Sequence, residues 1–451
     1  MKEQVKETVN TAKQIIQEEF DLTLETNSLK IYSLQDWQEL EEKINIKEKD
    51  GFFVPNSMTA RLKDDENVLH TLIHEHLAHR TYFEHSQDGL KLRKLETDLS
   101  ELEKLIIGKQ YHKLDSEAII KFVIDYDNIQ PKINEEENIL TVNYNPHFPL
   151  ANSHLQLSQQ IINYKNQLEP YAEAFAEWLT KYLTKKMDIN NVKIGGKTDI
   201  RTYKVYQQFL NIETQTGPLT ALYAAKIKRS HQPKQLQQLL KETFKDKLEL
   251  AEIIIKYGSN KPFSDLDLLL VVPKEKEEMF KQIIVPNYLD VSFVNKEKLV
   301  NQLNLSDIQY TTPLFDGFFL KGEERKEELL SFARSIPEKE DYIRMLHQQH
   351  RKAKELAIKC FQVYQIEKSR QNKFTQNMKN NIARTLVNLT YATTYQHLIK
   401  LGNPNQRHDK TLFNQIKENN LLLNETRKYL KSLYENFNNF NENKVQHLLT
   451  K

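Results

Sequence analysis

Cysteine is nearly absent: Cys360 is the only one in 451 residues. An internal disulfide is therefore excluded, and a reducing compartment is expected. Glycine and proline are also scarce, at 10 and 13 residues. Few turns are thus signalled, and helix should dominate a chain whose apolar residues mostly recur three and four apart. No run approaches the ~20 apolar residues needed to cross a bilayer. The charged opening "MKEQVKETVNTAKQIIQEEF" lacks the apolar core of a secretory signal. No membrane partner and a cytoplasmic location are the resulting expectations. Net charge is almost nil as well, 64 Lys+Arg against 62 Asp+Glu, which argues against general DNA binding. Any nucleic acid would have to meet a local patch such as "KIKR" at Lys226 or "HRKAK" at His350, and the simpler reading of each is a solvated helix face.

The length suggests two or three domains. Strands are predicted in "SLKIYSL" from Ser28, "GFFVP" from Gly51, "ILTVNY" from Ile139, "AEIIIKYGS" from Ala251, "LDLLLVVP" from Leu266 and "LDVSFV" from Leu289. Loops are predicted at Met187 to Ile200 and at Lys228 to Lys234, with a domain border at the second. After about Glu323 every segment reads as helix, which predicts a bundle, and the Asn-rich "NFNNFNEN" near the end reads as frayed.

The stretch "GSNKPFSDLDLLLVV", Gly258 to Val272, follows a predicted strand with a Gly-Ser turn. Glycine lets backbone amides approach phosphate oxygens. Asp265 and Asp267 then open the next strand, and residues two apart on a strand share a face about 7 Å apart. Such a pair suits Mg²⁺ bridging a polyphosphate. Asp290 in "LDVSFV" offers a third carboxylate from another strand. From Leu248 to Val294 the pattern resembles the minimal nucleotidyltransferases of the DNA polymerase β superfamily. The resemblance implies that Gly258 and Ser259 hold the phosphates of a nucleoside triphosphate, with ATP the expected one. It also implies that Asp265 and Asp267 bind Mg²⁺ and that Asp290 activates the acceptor. A departure is the short loop "NKPF", where many relatives have a longer one with another glycine. The acceptor is left open among a protein, an RNA end and a small molecule.

A second cluster, "HTLIHEHLAHRTYFEH" from His70 to His85, holds five of the 14 histidines. Leu69, Leu72, Ile73 and Leu77 give this helix one apolar face. His74 and His79 could hold zinc, with Glu75 as general base. On a regular helix, however, ligands five apart are displaced by about 140°; a turn of the π type would bring them together. The bland readings are surface histidines, or an i, i+4 pair at His70 and His74 that binds metal without catalysis. The His-Glu-x-x-x-His spacing is similar to that of tubulin tyrosine carboxypeptidase-like zinc peptidases. That likeness implies a third Zn²⁺ ligand at Glu173 in "YAEAFAEWL", where Ala174 replaces the family's glycine, and a substrate-holding strand in "GFFVPNSMTARL".

The helical tail contains "RMLHQQH", Arg344 to His350, which formally fits an Arg/His ribonuclease motif of HEPN-type bundles. Its more ordinary reading is a helix packed against the transferase part.

The expected fold is thus a helix-rich α+β multidomain protein. A zincin-like domain would span 1–228, a polymerase β-like nucleotidyltransferase domain 229–322 and a helical bundle 323–451. The expected activity is Mg-dependent nucleotidyl transfer beside a zinc metallopeptidase. The alternatives are a peptidase whose transferase domain is regulatory or inactive, and a non-catalytic binding scaffold. By domain analogy alone, such a fusion suggests a toxin–antitoxin or defence role.

Overall fold

The computed structural model describes residues 2–25, 29–44, 50–55, 57–65, 67–107, 119–124, 132–134, 139–144, 149–189, 200–286, 288–370, 375–403, 416, 420–435 and 440–450. Most of the predicted loop at 187–200 and half of the Asn-rich stretch at 436–443 lie outside them. The chain divides into two compact units, Met1–Lys245 with Asn260–Ser264, and Asp246–Ser259 with Asp265–Lys451. No helix among the described residues is long and apolar enough to cross a membrane.

The first unit opens with α1 (Lys2–Phe20), β1 (Leu29–Tyr32), α2 (Leu34–Ile44), β2 (Gly51–Val54) and β3 (Thr59–Lys63). The three strands form a sheet of order β1-β3-β2, with β1 parallel and β2 antiparallel to β3. "GFFVPNSMTARL" is therefore a hairpin rather than one strand, turning at Pro55 to Met58, where Met58 takes φ 50°. Next comes a nearly continuous helical stretch: α3 (Val68–Thr71), a π-helix (Leu72–His79) and α4 (Arg80–His85). Leu72 packs with Ala60, Leu62 and Val5 in one apolar cluster, which fixes this stretch between the sheet and α1. α5 (Gln87–Ile107) starts where Ser86 Oγ accepts the Gly89 N–H.

A second small sheet follows, from β4 (Ile119–Ile124), β5 (Lys132–Asn134) and β6 (Ile139–Tyr144), in the order β4-β6-β5. α6 (Pro149–Lys186) is the longest helix among the described residues. Its Ala172, Phe175, Ala176, Leu179 and Leu183 are buried at three- and four-residue spacing. α7 (Ile200–Gln215), α8 (Pro218–Ala224) and α9 (Pro233–Phe244) complete the unit. The unit thus runs to Lys245, past the border expected at 228. α9 buries Leu236, Leu239, Leu240 and Phe244, and its Glu242 accepts the orphan N–H groups of Leu219 and Thr220 at the start of α8.

The second unit is built on β7 (Ile253–Tyr257), β8 (Leu266–Val271), β9 (Leu289–Val294) and β10 (Phe318–Lys321), with α10 (Glu277–Lys281), α11 (Lys296–Asn304) and α12 (Ile308–Asp316) between them. The sheet order is β10-β7-β8-β9; β8 and β9 run parallel and the other pairs antiparallel. β7 and β8 are apolar almost throughout because both of their faces are covered. α13 (Lys326–Ala333) belongs to this sheet layer, since Leu329, Leu330 and Ala333 share a core with Ile253, Ile255, Leu269 and Val271. That is why nothing separates the layers at 322. α14 (Lys339–Arg370) and α15 (Gln376–Leu401) form the expected bundle with the helices Leu421–Glu435 and Glu442–Thr450, around Phe361, Ile382, Leu386 and Leu433.

Candidate functional sites

Each unit carries one constellation. In the first, the π-helix resolves the five-residue spacing: i to i+5 bonding makes residues five apart neighbours along one face. His74 and His79 consequently meet, ring centroids 4.8 Å apart at 87°. α6 supplies the third group. Glu173 Oε2 lies 3.5 Å from His74 Nε2, and Glu173 Oε1 lies 3.4 Å from His79 Nε2. One ligand atom from each residue falls within 4.8 Å of the others, a geometry that can hold a metal ion. Glu75 Oε2 is 3.9 Å from His79 Nε2, at the rim of the same space.

The surroundings orient these groups. Thr180, on α6 seven residues after Glu173, has its Oγ1 3.4 Å from His74 Nδ1. A ring nitrogen held from behind leaves Nε2 facing the centre, as metal-ligating histidines require. Phe53 of β2 stacks on His79 at 6.3 Å, so the hairpin forms a wall of the site. The imidazoles are 13% and 6% exposed but the Glu173 side chain is 42% exposed, which leaves the site open on the Glu173 side. Burial alone would depress His79, yet the charges of Glu173, Glu75 and Glu177 raise it to about 9. Glu173, which burial would raise, is instead held well below the usual carboxylate range by His79 and His74. Burial raises Glu177, one turn further on.

The donor set fits the expected group. Two imidazole nitrogens and one carboxylate, with an open side and an adjacent glutamate, suit a tetrahedral divalent ion with one position free. His70 does not join the ligands: its ring stacks parallel to His74 at 6.1 Å.

In the second unit β8 and β9 pair so that Asp267 lies directly beside Asp290. Residues paired across neighbouring strands point to the same face, so the two carboxylates project together. That face continues from Asp267 into the core through Leu269 and Val271. Asp265 precedes β8 by one residue, and its charge reaches Asp267. Asp265, Asp290, Gly258 and Ser259 are exposed, so the corner is open to ligand.

Gly258 adopts φ 77°, and a Cβ there would meet Asp267 Oδ2 at 1.8 Å. The turn needs glycine on both counts. The Ser259 backbone donates a hydrogen bond to Asp267, so the turn closes upon the acids. Burial, then Asp290, then Asp265 raise Asp267 to about 6, while Lys256 and Ser259 oppose the shift. Crowded, partly buried carboxylates shift in this direction. Lys256 Nζ lies 3.3 Å from the Ser259 carbonyl.

The motif left Tyr257 and Tyr391 unmarked. Tyr257, opposite Asp267 on β7, and Tyr391, on α15 of the bundle, both have phenols raised by burial and by the charges of Asp267 and Asp290. Tyr257 was legible in principle as the residue before Gly-Ser; Tyr391 carried no signal. Arg344 and His350 are not brought together: Arg344 is exposed against Asp341, whereas His350 Nδ1 lies 2.9 Å from the Ala392 carbonyl.

No family model matches the chain, and no curated protein or solved structure matches it. Any functional reading therefore rests on this chain's own residues and geometry alone.

Proposed function

We propose that the second unit is a nucleotidyltransferase, and the observation that carries this reading is the pairing of Asp267 with Asp290 beside the Gly258–Ser259 turn. Asp265 and Asp267 would hold Mg²⁺, whose chemistry is to neutralise charge on the triphosphate. Asp290 takes the proton of an acceptor hydroxyl, whose oxygen attacks the α-phosphorus. A phosphoester forms, the α–β phosphoanhydride bond breaks, and pyrophosphate leaves. The Ser259 amide must exchange Asp267 for a phosphate oxygen as the nucleotide enters. ATP is the proposed donor, and the acceptor is a hydroxyl on protein, RNA or a small molecule. The test is incubation with α-labelled ATP and cell extract. Transfer of label by the unaltered protein and its loss in Asp265→Ala/Asp267→Ala supports the reading; equal labelling by both proteins rejects it.

A second reading concerns the first unit and stands on the meeting of His74, His79 and Glu173. We propose a zinc-dependent peptidase centre, in which the metal supplies a Lewis acid for a peptide carbonyl. Glu75 would take a proton from the attacking water and pass it to the amine that leaves as the peptide C–N bond breaks, and the β2 edge would offer an extended peptide a strand to run beside. Metal analysis decides it: one equivalent of zinc in the unaltered protein, lost in His74→Ala and in His79→Ala, is expected. Unchanged metal in those variants rejects the centre. Under this reading the second unit could act as a regulator.

A further inference from the structure

Arg80 opens α4 immediately after His79 and is fully buried. Its Nε donates to Glu84 Oε1 at 2.8 Å, but Nη1 and Nη2 are both buried and have no hydrogen-bond partner. Nearby His76, 3% exposed, has an equally unpartnered Nδ1. The charges that act on His76 come from Arg80 and from Lys13 of α1, both cationic. Glu84 pairs with Arg80 through Oε1, while its Oε2, 3.7 Å from His85 Nε2, has no hydrogen-bond partner; that His85 nitrogen donates to the Thr23 carbonyl. Guanidinium cannot shed its charge. Glu84 offsets the charge through one N–H, but the four N–H bonds of Nη1 and Nη2 remain costly in the interior unless something outside the chain meets them.

We propose that a small inorganic anion of the chloride class is held inside the first unit against Arg80 Nη1 and Nη2. It accepts from the unmatched Nη N–H groups and braces the turn that presents His79. The site is separate from both constellations above and does not depend on either functional reading.

Two measurements on the full chain test this. Crystals grown in bromide should give an anomalous peak within hydrogen-bond distance of the Arg80 Nη atoms. Melting in chloride, compared with gluconate at matched ionic strength, should show a saturable rise of a few degrees that Arg80→Met lacks. Ordered water alone beside Arg80 in the bromide crystals overturns the proposal. So does a melting temperature equal in both salts, or a chloride effect that survives in Arg80→Met. Should that variant not fold, the bromide and gluconate comparisons on the unaltered protein still decide.

Discussion

Asp267 shows how a single carboxyl reports on its neighbours. Its folded value of about 6 exceeds the unfolded value of about 4, so folding favours the protonated form. This contribution is complete below pH ~4 and is lost as pH rises through 6. Metal-free protein should therefore lose stability over that window, and Asp290→Asn should flatten the loss. Mg²⁺ should restore melting temperature above pH 6 and do little below it, where the proton holds the site. Thermal melts across pH, with and without Mg²⁺, provide the check. Gly258 allows a sharper test. Its φ of 77° and the 1.8 Å approach to Asp267 predict that Gly258→Ala costs about 2 kcal/mol or more and abolishes labelling from α-labelled ATP. Near-native melting with full labelling would contradict the geometry. The acids and the turn were legible because charge and glycine stand out from an apolar strand. Thr180 and Tyr391 were not, because a hydroxyl on a helix looks like any other until the element it faces is in place.

At the scale of elements, the π-helix is the decisive departure from regularity. Regular 3.6-residue periodicity separates His74 from His79, and only the wider turn reunites them. Deleting Ala78 shortens the spacing to His-Glu-x-x-His, which an ordinary α-helix carries on one face. That variant is expected to keep its metal, whereas one alanine inserted after Leu77 should lose it; metal stoichiometry of the two proteins compares them directly. The six strands predicted from β-branched and aromatic runs all form. β3 was hidden inside a stretch taken for a single strand, and β4, β5 and β10 were not foreseen. β10, four residues at the edge of its sheet with Phe318 half-exposed, is too short to establish an alternation. Glu173 could be reached only through resemblance: it lies 94 positions after His79, and no local pattern spans that distance.

For the whole molecule, two units with separate cores should respond to ligands separately. Scanning calorimetry is expected to show two transitions. Zinc removal should lower one, and Mg²⁺ with ATP should raise the other. A single transition moved by both ligands would argue that the sites share one cooperative body. Composition predicted more than one domain, but the border drifted. α9 and α13 have amphipathic faces whose partners only the tertiary structure reveals. The division is also discontinuous: Asn260–Ser264 belongs with residues up to Lys245, although it is strung between two segments of the second unit. No single cut in the gene frees either unit whole. A recombination breakpoint at 245/246 would carry five residues of one inheritance into the other, so the two halves cannot be exchanged between proteins as simple cassettes.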